Sequence, residues 1–389
     1  MGANLAWAAV RSWPPPALRT PHGLMPGYFL WSYRHFGYSD VVALYWIHHL
    51  AWHRLPYWQN PIEYPVLIGV FMAAMAYLPG LAGYCWGTWI ALAGAAAWTL
   101  SLVERHVGPR AAWCWALSPL LAAEGLLNWD LLGIVSLAVA YAAWRQRRGF
   151  FAGLAVGIGI AIKLFPVVFA VTAGAWWTAR RTAAPRRFWT GLALGALGPN
   201  LPVALGAYAG WSYFYSFNRL RAPDPGLWRW LVHQHWLLVT QVDGLSAAII
   251  GLGAVAFWWR VARGGMSPEA AAVGLLAWGL AWNKVSSPQY GLWVYFGLVW
   301  LDAPWWALAA FSAADVADWA AAFRWLALGT SHSSATAAFA HHVVPWVIAA
   351  REAALLGVAV AGWGRGASQR LAPGSVAKRL RATEAERLP

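Results

Sequence analysis

Long apolar stretches separated by short polar turns cover most of the chain. They predict helices near 85–103, 111–127, 131–144, 149–163, 164–178, 188–208, 243–262, 268–282, 289–301, 304–328 and 343–363. A helix that crosses the hydrocarbon core of a bilayer needs about 20 apolar residues. The pattern therefore predicts an all-α, polytopic membrane bundle with roughly 10–12 membrane helices. We treat the apolar segment 65–83 as juxtamembrane or re-entrant, because another crossing there would move every later basic turn to the other side.

The composition agrees with a membrane protein and excludes an ordinary soluble domain. The 389 residues are 60% hydrophobic and 11% charged, whereas soluble domains carry about 25% charged residues. A soluble chain of this kind would expose more apolar surface than it could bury. The 32 Trp and 14 Tyr fit the same interpretation, since both side chains favour the membrane interface.

The net charge of +14 lies in short bursts between the apolar stretches. These bursts are Arg105 and Arg110; Arg145, Arg147 and Arg148; Arg180, Arg181, Arg186 and Arg187; and Arg260 and Arg263. Short basic turns mark the cytoplasmic side of a membrane protein, and they also attract anionic lipid head groups. The charge therefore predicts topology and contact with membrane lipids, and it does not indicate a nucleic-acid partner.

This topology divides the chain into three parts. Residues 1–37 lack a clear first transmembrane helix, residues 38–364 form the membrane domain, and residues 365–389 form a basic cytoplasmic tail that we predict to be disordered. The regions placed on the outer face are 28–64, 128–130, 209–242 and 283–289.

Ionisable residues at the depth of the membrane are the first candidates for function. Two of the three lysines, Lys163 and Lys284, lie against apolar helices. Such groups are costly and usually face a polar cavity, although a lysine at a helix end also reaches the interface by extending its side chain. Asp40, Glu63 and Asp130 fall on the same outer face, so we expect Asp40, Asp130 and both lysines to converge there.

Other charged residues favour structural roles. Asp315 and Asp318 lie on one helix face, and we expect them to pair with Arg324 or to sit at a helix end. Glu124 and Glu352, the latter beside Arg351, are also interpreted as structural.

A histidine group at 48, 49 and 53 offers a weak metal hypothesis. His49 and His53 have helical i, i+4 spacing, but no cysteine or paired carboxylate accompanies them. The sequence requires no metal or other cofactor and leaves a divalent metal open.

Four segments resemble glycosyltransferase family 87 and occur in the order of that family. They are Tyr38-Ser39-Asp40 with Leu44-Tyr45, Pro56-Tyr57 and Glu63-Tyr64-Pro65-Val66-Leu67; Asn128-Trp129-Asp130-Leu131; Gly157 to Pro166; and Asn283 to Tyr290. The resemblance implies a GT-C membrane fold. It also implies a polyprenyl-phosphate-mannose donor, an acceptor hydroxyl on a glycolipid or other glycan, and activity on the extracytoplasmic face of the cytoplasmic membrane.

The resemblance places a general base on Asp40, in the first outer loop. A cationic pocket would stabilise the departing polyprenyl phosphate, and the candidates for it are Lys163, Lys284, Arg219 and Arg221. Candidates for binding the sugar or the acceptor are Glu63, Asp130, His235, Gln289 and Tyr290.

One feature departs from the family and two other functions compete. Family members have a transmembrane helix just before the Ser-Asp loop, so either the chain begins inside a longer coding sequence or residues 24–36 supply only a stub. A lipid or glycolipid transporter would also carry charges at membrane depth, but such folds show paired halves with matching interruptions, which we do not find. A membrane subunit without catalytic activity is the third alternative.

Overall fold

The computed structural model describes residues 1–20, 23–180, 185–224 and 226–364. The first half of the described chain contains α1 Gly2–Ser12, α2 Tyr28–Arg34, α3 Asp40–Ile47, α4 Val66–Ala76, α5 Gly80–His106, α6 Pro109–Ala116, α7 Pro119–Ala123, α8 Asp130–Arg145, α9 Gly149–Ile162 and α10 Val167–Arg180. The second half contains α11 Pro185–Gly206, α12 Tyr208–Leu220, α13 Leu227–His233, α14 Val239–Ala262, α15 Pro268–Ala281, α16 Gly291–Trp300, α17 Trp305–Thr330, α18 Ala335–His342 and α19 Val344–Gly364.

The remaining regular structure is short. Single 3₁₀ turns lie at Pro16–Leu18, Leu50–Trp52 and Pro288–Tyr290. Strands β1 Arg19–Thr20 and β2 Gly23–Leu24 pair antiparallel, with Arg19 opposite Leu24 and Thr20 opposite Gly23.

Four helical segments in the described part of the chain are long and apolar enough to cross a membrane. They are Gly80–His106, Pro185–Gly206, Val239–Ala262 and the combined segment Ala335–Gly364. Shorter apolar helices accompany them at Val66–Ala76, Gly149–Ile162, Val167–Thr178 and Pro268–Ala281. The predicted all-α membrane fold is confirmed, while the number of ten to twelve crossings stays a prediction. The predicted tail at 365–389 lies outside the described residues.

The predicted helix near 111–127 is wrong as a continuous element. Helix α6 ends at Ala116. Ser118 then caps α7 by accepting a hydrogen bond from the Leu120 amide at 3.2 Å, and Pro119 occupies the first helical position. Proline favours that position because its fixed φ suits a helix start and its missing N–H is not needed there. The region 209–242, which we predicted as an outer loop, contains α13 and nearly all of α12.

The amino-terminal segment is part of the bundle. The Asn4 side chain donates to the Ser118 carbonyl at 3.0 Å, and Arg11 donates to the Ala123 carbonyl at 2.9 Å. Helix α1 therefore packs on α7 through its polar side chains, and Arg11 supplies a partner for the Ala123 carbonyl at the end of α7.

Helices α9 and α11 pack closely because each presents two glycines, four residues apart, to the other. Gly153 and Gly157 on α9 face the backbone of α11, and Gly191 and Gly195 on α11 face the backbone of α9. A Cβ atom at any of these four positions would overlap backbone atoms of the facing helix. Small residues at this spacing let membrane helices approach until their backbones touch.

Helix α8 runs between two ends of the bundle, with an acidic residue at its start and a basic residue at its end. Its 16 residues extend about 24 Å from Asp130 to Arg145. At the Arg145 end, the guanidinium contacts Glu269 at 3.0 Å and donates to the His106 carbonyl at 2.7 Å. We call this the basic end, and we call the opposite end, which carries Asp130 and Lys163, the site end.

We expect Gly195→Leu to destabilise the protein because the added side chain must push α9 away from α11. Overpacking of this kind costs about 1–3 kcal/mol. The matched control is Gly198→Leu on the same helix, where an added Cβ meets no atom within 4 Å. Thermal unfolding in detergent should give a lower midpoint for Gly195→Leu alone. Equal midpoints for the two variants would contradict the packing account.

Candidate active site

Asp40 is the first residue of α3, and hydrogen bonds to the turn before α8 hold it in place. The Ser39 hydroxyl donates to the carbonyls of Leu126 and Leu127 at 2.8 and 3.1 Å, and the Asp40 amide donates to the Leu127 carbonyl at 2.8 Å. These bonds join two segments that are far apart in the sequence. They hold the half-buried Asp40 beside the turn that carries Asp130.

Asp130 and Lys163 form a buried ion pair at the site end. The Asn128 side chain accepts from the Asp130 amide at 3.0 Å, and this places the Asp130 carboxylate at the amino terminus of α8, where the helix dipole favours negative charge. Lys163 directly follows α9, and its ammonium lies 2.8 Å from Asp130 Oδ1. Asp130 is 2% exposed and Lys163 is 8% exposed, so each charge depends on the other for compensation.

Tyr64 connects this ion pair to Asp40. Its hydroxyl donates to Asp40 Oδ2 at 2.7 Å, and the Lys163 ammonium lies 4.7 Å from the centre of its ring. Burial raises the pKa of Asp40 above its ordinary value, although hydrogen bonds from Tyr64 and Tyr38 and the charge of Lys163 act in the opposite direction. Asp40 is therefore a better proton acceptor than an exposed aspartate.

Glu63 is engaged by a histidine. His48 Nε2 lies 2.9 Å from Glu63 Oε2, and the Asn60 amide donates to the His48 carbonyl at 3.1 Å. Burial acts to raise the pKa of Glu63, but the hydrogen bond and charge of His48 outweigh it and hold the pKa below its ordinary value. Glu63 is thus ionised beside Asp40.

The helical spacing of His49 and His53 is not realised. Helix α3 ends at Ile47, and both histidines have positive φ on either side of the turn Leu50–Trp52. The His53 ring stacks on Tyr77 with centroids 5.0 Å apart. Within the described ranges, no three His, Cys, Asp or Glu side chains are grouped so that they could hold a metal ion.

Lys284 lies against a different part of the site end from Lys163. Its ammonium contacts Asp243 Oδ1 at 2.6 Å and donates to the Arg219 carbonyl at 2.7 Å. Arg221 donates to both Asp224 oxygens, at 2.8 and 2.9 Å. Lys284 and Arg221, two of the four predicted phosphate-binding cations, are therefore already paired with carboxylates.

Arg219 differs from these cations. Its side chain is exposed, and its guanidinium forms no hydrogen bond or ion pair with the described residues. The Arg219 backbone carbonyl accepts from the Lys284 ammonium, so Lys284 contacts the helix end that carries this unpaired cation.

Tyr290 links the two groups of cations. Its ring stacks on Trp293 with centroids 4.2 Å apart, and its hydroxyl lies within electrostatic range of Lys163, Asp130 and Arg221. Gln289 is buried beside it. His235 is exposed and has a positive φ just after α13, and its predicted role stays a prediction.

Arg351 makes buried polar contacts that no sequence pattern indicated. The expected pairing of Asp315 and Asp318 with Arg324 is wrong, because Arg351 on α19 contacts them at 3.1 and 3.5 Å and Arg324 is exposed. Arg351 also donates to the Ser286 hydroxyl and, at 3.1 Å, to the Ser287 carbonyl. It therefore fixes the loop that carries Lys284 and Tyr290. No local pattern reveals a partner that lies more than 30 residues away.

The site end thus combines a half-buried carboxylate with several cations. A positioned carboxylate can take a proton from a hydroxyl group, and cations beside it can stabilise a leaving anion. Residues 58–288, more than half of the chain, match the family model for glycosyltransferase family 87. The chain belongs to glycosyltransferase family 87. This member of family 87 is accordingly a membrane glycosyltransferase.

The matched range contains most of the candidate site residues of this family 87 member. Glu63, Asp130, Lys163 and Lys284 lie inside it, whereas Asp40 precedes it. The searches of curated proteins and of solved structures found no match for the chain.

We expect the Lys163–Asp130 pair to show strong coupling in a double-mutant cycle. Lys163→Met leaves a buried carboxylate without its partner and should cost about 3–5 kcal/mol. The double variant with Asp130→Asn should recover part of that loss.

The measurement is the thermal unfolding midpoint of the two single variants and the double variant. The control pair is Arg110 and Asp302, which are 3.8 Å apart and half-exposed, so their coupling should be about 0–1 kcal/mol. Strictly additive effects at Lys163 and Asp130 would contradict the account.

Proposed function

We propose that the protein transfers a sugar, with mannose favoured, from a polyprenyl-phosphate donor to an acceptor hydroxyl. Asp40 is the general base. The observation that carries the proposal is the position of Asp40, half-buried and hydrogen-bonded to Tyr64 within the charged cluster of a family 87 chain. The acceptor is a glycolipid or another glycan of the cell envelope.

In the proposed reaction, the acceptor oxygen attacks the anomeric carbon of the donor sugar. Its O–H bond breaks and the proton passes to the Asp40 carboxylate. The bond between the anomeric carbon and the phosphate oxygen breaks at the same time, and its electron pair leaves with the polyprenyl phosphate. Negative charge therefore grows on the phosphate, where fixed cations lower the energy of the transition state.

Arg219 and Lys284 are the residues we assign to the donor phosphate. The Arg219 guanidinium has no partner among the described residues, and Lys284 donates to the backbone carbonyl of the same residue. A guanidinium presents several donors in one plane and suits a phosphate. Lys163 and Arg221 add positive charge from their positions beside Tyr290.

The role of Asp130 follows from its enclosure. With 2% of its surface exposed and Lys163 at 2.8 Å, Asp130 holds the lysine in place, and we assign it to that task rather than to sugar binding. Glu63 is 24% exposed at its side chain and has further acceptor capacity for a sugar hydroxyl. Gln289 and Tyr290 remain our further candidates for contact with the sugar.

We propose that the reaction occurs on the extracytoplasmic face of the cytoplasmic membrane. Support comes from the charge difference between the two ends of α8, since Arg145 lies at one end and Asp130 at the other. Basic residues favour the cytoplasmic side, so the site end would face outward.

We expect Asp40→Asn to abolish sugar transfer because it keeps the shape of the side chain and removes the base. Loss of a general base lowers the rate about 10²–10⁴-fold. Purified protein in lipid vesicles would receive polyprenyl-phosphate mannose with a radioactive sugar and an extract of host glycolipids, and label transfer would be measured.

The matched control is Asp302→Asn, the same chemical change at a half-exposed carboxylate of the basic end, and it should retain activity. Equal transfer by Asp40→Asn and wild type would remove Asp40 as the base. Failure of the wild type with several lipid-linked sugars would overturn the proposed donor class.

A further inference from the structure

Tyr64 contacts both Asp40 and Lys163. Its hydroxyl edge donates to Asp40 Oδ2 at 2.7 Å, and its ring face carries the Lys163 ammonium at 4.7 Å. An aromatic ring attracts a cation through its negative face. The same residue therefore engages a carboxylate at one edge and a cation on one face.

This arrangement keeps Lys163 in contact with Asp130 rather than Asp40. Among the described residues, Lys163 forms an ion pair within 4 Å only with Asp130. A direct ion pair with Asp40 would favour the charged carboxylate strongly and make it a poor proton acceptor. A neutral hydroxyl stabilises the carboxylate less than an ammonium does.

Building on the proposed function, we propose that Tyr64 is a positioning residue that sets the proton affinity of Asp40, by its hydroxyl bond to Asp40 Oδ2 and by retaining Lys163 on its ring. Tyr64 keeps its own proton throughout. The proton of the acceptor hydroxyl passes to Asp40.

Two further contacts hold Tyr64 in this position. The Tyr57 hydroxyl donates to the carbonyls of Tyr64 and Pro65 at 3.0 and 2.7 Å, which fixes the backbone of this loop. The Trp129 ring packs edge-on against the Tyr64 ring with centroids 5.2 Å apart. The hydroxyl is therefore aimed at Asp40 by the surrounding structure.

Several titratable groups face Asp40 and contribute to its proton affinity. They are Tyr28 and Tyr33 on α2, Tyr38 before α3, Glu63 and Tyr64 before α4, Tyr84 on α5 and Lys163 after α9. Tyr38 also hydrogen-bonds to Asp40, and Glu63 opposes its ionisation. A change confined to the Tyr64 hydroxyl leaves all the others in place.

The test is Tyr64→Phe, which keeps the ring under Lys163 and removes only the hydroxyl. Loss of a donor to the charged carboxylate should raise the pH at which Asp40 ionises by about one unit. The acid limb of the pH profile of kcat/KM for sugar transfer should move upward by that amount, since the base works only when it is ionised.

The matched control is Tyr295→Phe, which removes the hydroxyl of another buried tyrosine, one that donates to the Cys114 carbonyl at 2.8 Å and not to Asp40. It should lower the thermal midpoint and leave the acid limb unchanged. An unshifted limb in an active Tyr64→Phe variant, or equal shifts in both variants, would overturn the inference alone. Absence of transfer by the wild type would overturn the proposed function.

A second measurement needs no turnover. A hydrophobic carbodiimide modifies protonated carboxyl groups, and mass spectrometry of the Asp40 peptide would follow its reactivity against pH. The reactivity of Asp40 should persist about one pH unit higher in Tyr64→Phe than in wild type or Tyr295→Phe. Identical curves for all three proteins would contradict the role of Tyr64, whether or not sugar transfer is observed.

Discussion

A buried ammonium at the end of an apolar helix needs a carboxylate beside it, and Lys163 has Asp130 at 2.8 Å. Taking two charges out of water is costly, and only close contact with good geometry offsets that cost. Because Asp130 begins α8 and Lys163 follows α9, the pair ties these two antiparallel helices together at the site end. The Asp40 loop is bonded to the turn just before Asp130, so the position of the proposed base depends on the same contact.

The close packing of α9 on α11 supplies the rigidity behind that arrangement. Two glycines on each helix allow backbone contact along the interface, and α9 then delivers Lys163 to the site end. At the opposite end of α8, Arg145 binds Glu269 and the end of α5. The two ends of the bundle therefore carry different charged residues. Its site end carries acids and cations from segments spread over residues 40–290, and its basic end is the one that we propose faces the cytoplasm.

Much of the fold could be predicted from the sequence because charged turns interrupt the apolar stretches. The predicted segments 131–144 and 149–163 correspond to α8 and α9 within one or two residues at each end. The break at Pro119 was missed, since an apolar run reads the same whether one helix or two short helices fill it. Asp40, Asp130 and Lys163 lie in one cluster as expected, whereas Lys284, expected in the same group, pairs with Asp243.

The pairing of the remaining charges could not be predicted. Lys284 binds Asp243, and Arg351 binds Asp315, and each partner lies more than 30 residues away with no local pattern to mark it. Tyr64 was visible only as part of a motif, because its two contacts exist only after three separate segments come together.

The most direct test of the central claim is an electron cryomicroscopy structure of the Asp40→Asn protein with polyprenyl-phosphate mannose bound. The account predicts the phosphate beside Arg219 and Lys284, with the anomeric carbon facing residue 40. A phosphate bound at the basic end, beside Arg110 or Arg145, would contradict it.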